Sequence, residues 1–592
     1  MYYPQAGFAR GHELYASGSE STPWPRPVPA RIGEGSNPKL MVLTLGEVET
    51  PLADGLFDPL ADSMTLDDGR VIDNYYRNEL GIRFFAPFDK SRFPLPPSGW
   101  CSWYYYYKDI SPEEIETNAR WLSENLREYG ARVCQLDDGW QGAGDDEGTK
   151  RDWTTTDPCC RWDLAQLASR IRELELEPGI WLAPHGQSSD VVAKRRGCFL
   201  KIPDGSSASS TWVGRWLLDP THPGASEYLR DLFARLRGEW GYSYFKVDGQ
   251  PTVLEEYRKK GDFMATPGGD AETLLRGTLE TIREAIGPGS YLLGCWGTPL
   301  AGIGILNGSR SSDDVEPSWK GFRTAFEAMV RWGFLHNIAW YNDPDVLIVR
   351  PPLGEGKARA WATAVGLSGQ ALMASDRMPD LPASRVSILK KVFPAVDVRP
   401  LDLFKPQDCN KTIWDLKVNH NGRRYDVVAC FNLDERKPDR LRLNWEELGL
   451  KADAPYHLFD FWRGAYLGCR EKGYSVEVPP ADCRVITLVK AEQRPQLIST
   501  DRHITQGWID LLELDYDAQS MTYSGKSALI GGEPLTLTFA FPPSGTTFTI
   551  KSVTADGAKA AFENNRGWAQ VRLHAAETGQ YRWRVRFEPT IV

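Results

Sequence analysis

The chain has 592 residues, of which 41% are hydrophobic and 25% are charged, fractions typical of an ordinary soluble globular protein. This composition excludes a disordered, a collagen-like and a coiled-coil chain, and no apolar run reaches the roughly 18 residues that a membrane span needs. The formal net charge of −10, without a basic patch, argues against nucleic acid and membranes as partners. Residues 1–30 lack the charged and apolar regions of a signal peptide, which predicts a cytoplasmic location.

Residues 1–95 form an irregular N-terminal region. It contains proline-rich stretches and a few strand-like runs, such as Met41–Glu47 and Gly81–Pro87. We expect a small β element or an extended arm that packs on a larger body.

The region 96–395 alternates short apolar runs with helical segments. Alternation of this kind predicts parallel βα units, and eight units over this length predict an α/β fold, a (β/α)8 TIM barrel. A doubly wound sheet is the alternative, but it requires a glycine-rich phosphate turn after its first strand, and Gly99–Trp103 is not one. The eight predicted strands are Ser98–Trp103, Arg132–Trp140, Pro178–Pro184, Tyr242–Gly249, Tyr291–Gly297, Asn307–Val315, His336–Asp343 and Ala371–Asp376.

The first helix of this region has the clearest boundaries. Ser111 is placed to cap it, Pro112 suits its first position, and Glu114 completes a capping box. Gly130 is expected to end it.

The helical pattern stops after residue 395. Thr412–Val418 and Arg424–Asn432 read as the strands of a hairpin with a two-residue turn at Asn421 and Gly422. Further short strands follow to about residue 490, then a linker at Pro495–Gln506, from which Ile498 and Ile504 are able to dock on the barrel. Four more predicted strands follow, so we divide the chain into an N-terminal region 1–95, a barrel 96–395, a β-sandwich 396–490, and a linker with a second β module 491–592. The four strands are Pro534–Phe541, Thr547–Val553, Ala569–Leu573 and Tyr581–Phe587.

Acidic and tryptophan side chains recur where the barrel strands end, which is where barrel enzymes carry their chemistry. Carboxylates accept hydrogen bonds from vicinal hydroxyls and tryptophan faces stack on sugar rings, so a carbohydrate site fits this pattern. The 22 tryptophans of the chain suit a Trp-rich core equally well. A metal site also needs clustered acids, but the eight histidines are dispersed and a Lys and an Arg oppose a cation. The strand-end residues are Trp103, Asp137, Asp138, Trp181, Lys246, Asp248, Arg310, Asp313 and Asp314.

The fourth and sixth strands offer the best candidates for acid–base chemistry. Lys246 and Asp248 are two residues apart and therefore lie on the same side of a strand, which predicts a lowered pKa for Asp248, as a nucleophile needs. Asp314 adjoins Asp313, and acidic neighbours predict a raised pKa, as a general acid needs. The structural alternative is that strand-end aspartates, Asp137 and Asp138 above all, cap the following helices.

Four motifs in this order resemble glycoside hydrolase family 36, and most closely its raffinose synthase and alkaline α-galactosidase branch. They are Trp100–Trp103 (WCSW), Leu136–Trp140 (LDDGW), Lys246–Asp248 (KVD) and Arg310–Asp314 (RSSDD). Asn342–Asp345 (NDPD) is similar to a motif of the sister family 27. The likeness covers about 97–395, and the 396–490 module fits the family's C-terminal β domain.

The resemblance implies a retaining double displacement at an α-linked galactose-like sugar, with Asp248 as nucleophile and Asp314 as acid/base. It also implies a set of substrate-binding residues. These are Asp137 and Asp138 at the 4- and 6-hydroxyls, Lys246 near the hydroxyls, Arg310 near the 2-hydroxyl, and Trp103 and Trp181 as aromatic contacts.

The sequence departs from the family at two places. Only about 95 residues precede the barrel, where family 36 members usually carry a large β-supersandwich, so the oligomeric state stays open. The end of the fifth strand, Cys295–Pro299, is unusual, and its loop faces the 2-position of the sugar in relatives. We count Trp296 among the binding residues, and the small residues beside it leave galactose and N-acetylgalactosamine both open.

Three hypotheses follow. The first is a retaining α-galactosidase-type hydrolase with a carbohydrate substrate, no cofactor and no metal. The second is a galactosyltransferase of the raffinose-synthase kind that uses the same two aspartates. The third, a non-catalytic sugar-binding barrel, predicts the loss of one carboxylate, whereas Asp248 and Asp314 are both present.

Overall fold

A computed structural model describes residues 41–46, 55–58, 60–66, 69–79, 81–143, 150–158, 162–295, 300–333, 335–397 and 412–590. The N-terminal region contributes four strands: β1 Met41–Gly46, β2 Gly55–Asp58, β3 Ser63–Leu66 and β4 Val71–Asp73. Strands β2, β3 and β4 form an antiparallel sheet, whereas β1 pairs in parallel with Ile413–His420 of the C-terminal region. The expectation of an arm packed on a larger body is therefore confirmed.

The run Gly81–Pro87 is not a strand, contrary to the sequence-based expectation. It is an irregular segment that buries Ile82 and Phe85 in the core of the barrel. Its apolar residues reflect this packing and not a sheet position.

The central region folds as a nearly closed parallel barrel, as predicted. The strands of the region are β5 Ser98–Cys101, β6 Val133–Leu136, β7 Gln141–Gly142, β8 Asp152–Thr156, β9 Glu177–Leu182, β10 Gly186–Gln187, β11 Trp216–Leu217, β12 Tyr244–Val247, β13 Tyr291–Gly294, β14 Gly308–Arg310, β15 Tyr341–Asp343, β16 Val346–Leu347 and β17 Leu372–Ala374. The barrel sheet runs in the order β15-β14-β13-β12-β9-β6-β5-β17-β16, while β7 with β8 and β10 with β11 form small pairs in the loops. Because neighbours in the barrel sheet follow the order of the chain, a doubly wound sheet is excluded.

The predicted seventh strand, His336–Asp343, is a strand only at its end, β15, and a further short strand, β16, follows beyond the predicted range. Strands β15 and β16 pair with β14 and β17 respectively, so one bent segment nearly closes the barrel. The bend lies at Pro344, which has no N–H for the ladder, and at Asp345, whose φ of 77° is in the left-handed region.

Ten α-helices are described, most of them packed around the barrel. They are α1 Trp103–Tyr106, α2 Pro112–Asn125, α3 Leu164–Glu173, α4 Asp190–Arg196, α5 Pro223–Ala234, α6 Gln250–Lys259, α7 Ala271–Ile286, α8 Trp319–Arg331, α9 Glu355–Ser368 and α10 Ala383–Lys390. Ser111 caps α2 as predicted, accepting a bond from the Glu114 N–H, but the helix ends at Asn125, before Gly130. The Glu114 carboxylate does not complete a capping box with Ser111 and instead accepts bonds from Tyr106 and Arg377. None of the described helices combines the length and apolar character needed to cross a membrane.

The C-terminal part forms antiparallel sheets. Its strands are β18 Ile413–His420, β19 Arg423–Asn432, β20 Asp439–Asn444, β21 Tyr456–Asp460, β22 Ala465–Arg470, β23 Gly473–Val478, β24 Asp482–Lys490, β25 Gln496–Thr500, β26 Leu511–Asp517, β27 Thr522–Leu529, β28 Pro534–Ala540, β29 Thr547–Ala555, β30 Lys559–Asn565, β31 Trp568–His574 and β32 Gly579–Thr590. The sheet β1-β18-β19-β24-β21-β22 and the pair β20-β23 enclose one apolar cluster, and the sheets β25-β28-β31-β30 and β26-β27-β32-β29 enclose another. The predicted hairpin is confirmed, with Asn421 and Gly422 at φ of 51° and 71° in its turn.

The segment Pro495–Gln506 is not a linker. Its residues Gln496–Thr500 are strand β25, which pairs with β28, and the whole strand is buried. Ile498 and Ile504 are fully buried against the barrel core, as the docking hypothesis expected. The exact boundaries of the four-part division stay predictions.

Candidate active site

The carboxyl ends of the barrel strands surround a pocket of about 530 Å³. It collects seven of the nine catalytic and binding residues expected from the sequence. Arg310 does not line the pocket but contacts Asp314, which does. Trp296 lies outside the described residues. The lining residues are Trp103, Lys108, Asp137, Asp138, Arg151, Trp181, Trp212, Lys246, Asp248, Asp313 and Asp314.

Tryptophans serve both of the roles considered from the sequence. Trp103, Trp181 and Trp212 line the pocket, where their rings are available for stacking. Others are fully buried in the cores: Trp100, Trp140, Trp153, Trp332, Trp340, Trp361, Trp414 and Trp445.

Asp137 and Lys246 form a buried ion pair in the floor of the pocket. Lys246 Nζ lies 2.9 Å from Asp137 Oδ2, and the same oxygen accepts a bond of 2.7 Å from Gln135 Nε2. The Asp137 N–H donates to Ser102 Oγ, which fixes the backbone at the end of β6. Asp137 is therefore a fixed acceptor, and Lys246 is a positive charge already balanced by one carboxylate.

Asp138 is held by a second cation. Arg151 donates two parallel bonds of 3.1 Å from its two terminal nitrogens to Asp138 Oδ1 and Oδ2. The guanidinium also lies 5.0 Å from the ring centre of Trp181, which is within the range of a cation–π contact. Neither aspartate acts as the cap of a helix, so the structural alternative for Asp137 and Asp138 is wrong.

Asp248 is half-buried at the end of β12. Its Oδ2 accepts a bond of 2.8 Å from Trp181 Nε1, and its Oδ1 accepts one of 2.6 Å from the Gly249 N–H. Gly249 has a φ of 81°, and a Cβ there would lie 2.3 Å from a methyl group of Val213, so this turn requires glycine. The sequence therefore fixes the direction of the Asp248 carboxylate through its neighbour.

The pKa of Asp248 is raised and not lowered as expected from Lys246. Burial is the main cause and the nearby Asp314 adds to it, while Lys246 opposes both. The Lys246 charge acts to lower this pKa, as expected, but it does not outweigh burial.

Asp314 is the exposed member of the pair, with 62% of its side chain accessible, and its Oδ1 accepts a bond of 3.1 Å from Arg310. Its pKa is lowered, again against expectation. Burial acts to raise it, but the Arg310 and Lys246 charges and the hydrogen bond from Arg310 outweigh that effect. The acidic neighbour Asp313 does not decide the pKa because a guanidinium is in direct contact.

Three lining residues escaped the sequence reasoning: Lys108, Arg151 and Trp212. All three lie in segments that follow strand ends, as barrel active sites require, but no motif or periodicity singles them out there. Among the described residues, no group of three His, Cys, Asp or Glu side chains is arranged to hold a metal ion.

Comparison with known proteins agrees with this geometry. Residues 72–267 match the family described as Melibiase, and residues 413–488 match the alpha galactosidase C-terminal beta sandwich domain. An alpha-galactosidase from Escherichia coli is 27% identical over 163 residues, which are 26% of this chain and 22% of that protein. A "Probable alpha-galactosidase B" from Talaromyces emersonii is 23% identical over 462 residues, which are 67% of this chain and 92% of that protein.

One solved structure shows the same fold. It is a GH27 β-L-arabinopyranosidase from Geobacillus stearothermophilus in complex with arabinose, with a TM-score of 0.51 at 18% identity, covering 67% of this chain and 98% of that one. Residues 72–267 thus carry a melibiase domain of the kind shared by glycoside hydrolase families 27 and 36, a match to its C-terminal β-sandwich follows, and these matches support a glycosidase.

Proposed function

We propose that this glycosidase hydrolyses terminal α-linked galactose or N-acetylgalactosamine residues of oligo- or polysaccharides with retention of configuration. The observation that carries the proposal is that Asp248 and Asp314, from two different strand ends, line one pocket. A retaining glycosidase needs such a pair, one carboxylate as nucleophile and the other as acid/base. The matched relatives are alpha-galactosidases by name, which favours hydrolysis over transfer to an acceptor sugar.

Asp248 is the proposed nucleophile. In the first step one of its oxygens bonds to the anomeric carbon while the glycosidic bond breaks, and Asp314 gives its proton to the departing oxygen. In the second step a water molecule gives a proton to Asp314 and attacks the same carbon, which releases Asp248. The bonds from Trp181 and Gly249 leave the carboxylate in one orientation for both steps.

The pKa shifts of the two aspartates are opposite to those that their proposed roles need. The pKa of Asp248 is raised and that of Asp314 is lowered from the same ordinary value, so Asp248 takes up a proton before Asp314 does as the pH falls. We propose that a bound sugar corrects this order, because it excludes water from the exposed Asp314 carboxylate and so raises the pKa of that group.

Recognition of the sugar is assigned to the remaining pocket residues. We propose that Asp137 and Asp138 accept hydrogen bonds from the 4- and 6-hydroxyls and that Lys246 donates to a neighbouring hydroxyl. Trp103, Trp181 and Trp296 are proposed as ring contacts. Within the clan we propose family 36, since Lys246–Asp248 and Arg310–Asp314 follow its pattern.

The first test is release of nitrophenol from aryl α-glycosides of galactose, N-acetylgalactosamine and glucose, together with the β-L-arabinopyranoside. Activity is expected on galacto-configured members and to vanish in Asp248→Asn. Asp482→Asn is the matched control, because Asp482 is a buried carboxylate paired with Arg359 outside the pocket. Activity confined to the glucoside, or an Asp248→Asn variant as active as the control, would contradict the proposal.

A further inference from the structure

The guanidinium of Arg310 holds two carboxylates at once. One terminal nitrogen lies 3.1 Å from Asp314 Oδ1 and the other lies 3.2 Å from Asp345 Oδ1. The Arg310 and Asp345 side chains are 1% and 2% exposed, whereas that of Asp314 is 62% exposed. The arginine thus links a buried carboxylate to the exposed one that faces the substrate.

The second oxygen of Asp345 holds the backbone beside Asp314. Asp345 Oδ2 accepts a bond of 2.9 Å from the Val315 N–H, and the hydroxyl of Tyr104 donates to the same oxygen. Val315 directly follows Asp314 in the chain. Asp345 is therefore connected to Asp314 in two ways, through the guanidinium of Arg310 and through the backbone N–H of Val315.

Charged and titratable groups face Asp345 from every side. They are Arg310 on β14, Asp314 on the loop after β14, Lys246 on β12, Asp343 at the end of β15, Tyr104 on α1 and Cys101 on β5. Asp343 Oδ1 also accepts a bond of 2.9 Å from the Asp345 N–H, which helps to hold the bend between β15 and β16.

We propose that Asp345 is a positioning residue for Asp314: it anchors Arg310 and Val315, and its own charge sets how strongly Arg310 acts on Asp314. This inference rests on the proposed function, because it presupposes that Asp314 is the acid/base. When Asp345 is ionised, Arg310 divides its charge between two carboxylates. When Asp345 is neutral, the full positive charge acts on Asp314 and lowers the pKa of that group.

Asp345 is able to change its charge near neutral pH. Burial raises its pKa to about 7, although Arg310 and Lys246 oppose the rise. A substitution that removes the charge of Asp345 should therefore have the same effect as protonation of Asp345: it should lower the pKa of Asp314.

The test compares Asp345→Asn with the unmodified enzyme on two substrates, melibiose and the dinitrophenyl α-galactoside. Only melibiose has a leaving group that needs a proton. A limb that appears in the kcat–pH profile for melibiose, but not in the profile for the dinitrophenyl α-galactoside, therefore reports the ionisation of Asp314. In Asp345→Asn we expect this limb to move to lower pH by about 1 unit, as for the loss of one charge in a partly buried site. The kcat for melibiose should fall several-fold more than that for the aryl substrate.

Asp345→Ala provides a second variant if Asp345→Asn does not fold. It removes the same charge, so the limb should again move to lower pH. Asp482→Asn controls for loss of stability alone and should leave the limb in place. An unmoved limb in a folded Asp345→Asn or Asp345→Ala variant would falsify the inference, whereas an unmodified enzyme that is inactive on both galactosides would instead refute the proposed function.

Discussion

The indole Nε1–H of Trp181 donates a hydrogen bond of 2.8 Å to Oδ2 of Asp248. Trp181 belongs to β9 and Asp248 follows β12, and these two strands are neighbours in the barrel sheet. The same indole lies against the guanidinium of Arg151 on the pocket wall. One tryptophan therefore orients the proposed nucleophile and connects it with the cation that holds Asp138.

The substitution Trp181→Phe should slow the reaction by about tenfold to a hundredfold, since the hydrogen bond from the indole N–H to the Asp248 carboxylate is lost while an aromatic side chain is kept. Without the donor, the ionised form of Asp248 is less stable and its pKa rises further. Because the pKa of Asp248 is raised and that of Asp314 is lowered, the basic limb of the kcat/KM profile belongs to Asp248 and should move to higher pH. A shift of the acidic limb instead would show that Asp314 has the higher pKa of the two aspartates in the free enzyme.

Trp445→Phe is the matched control for this variant. Trp445 is fully buried in the first C-terminal sandwich, far along the chain from the pocket residues. It should lower the melting temperature without moving either limb of the profile.

Substrate binding should separate the two pH profiles of the unmodified enzyme. When the bound sugar excludes water from the exposed Asp314 carboxylate, the lowered pKa of Asp314 returns toward or above its ordinary value. The basic limb of kcat, measured with melibiose, should then be due to Asp314 and should be absent with the dinitrophenyl galactoside. Identical kcat profiles for the two substrates would contradict the acid role of Asp314.

Asp314→Ala should distinguish the two steps of the reaction. Turnover of melibiose should fall by about 10²–10⁴-fold, the usual contribution of general acid catalysis, whereas formation of the glycosyl-enzyme from the dinitrophenyl substrate should be much less affected. Rapid-mixing measurement of the nitrophenolate burst checks the second part. Equal losses with both substrates would count against the assignment.

Arg151→Gln should act mainly on KM. The substitution removes both bonds from Arg151 and leaves the Asp138 carboxylate buried without a cation, so that it is held less firmly, by the bond from Gln141 Nε2 to its Oδ1. We expect KM for galactosides to rise about tenfold or more with a smaller change in kcat. Arg151→Lys should not restore it, because an ammonium lacks the two-pronged geometry. Arg359→Gln, which breaks the similar pair with Asp482, is the control and should leave KM unchanged.

The barrel and most of its site were predictable because each barrel strand is a short apolar run whose end can be recognised in the sequence. Trp103, Asp137, Lys246 and Asp248 each lie on or just beyond a short apolar run, and the closure of the barrel brings such positions together. Arg151 and Trp212 were not predictable, since their loops fold back over the pocket with no period in the sequence. The bend at Asp345 was not predictable either, because a bend that follows a strand does not change the apolar run of that strand.

The pKa values of the two proposed catalytic aspartates show what a local pattern lacks. The spacing of Lys246 and Asp248 correctly places them on one side of a strand. It does not reveal that Asp137, more than 100 residues earlier, already pairs with the lysine. Burial decides the sign of the shift for Asp248, and direct contact with Arg310 decides it for Asp314, so both expected directions were wrong.

Strand β1 is synthesised long before the strand with which it pairs. Its partner β18 lies beyond the entire barrel in the chain, so β1 leaves the ribosome long before β18 exists. At about 5–20 residues per second, the wait lasts for tens of seconds. During that time β1 has no partner strand, and this edge of the sandwich forms only after β18 has been synthesised.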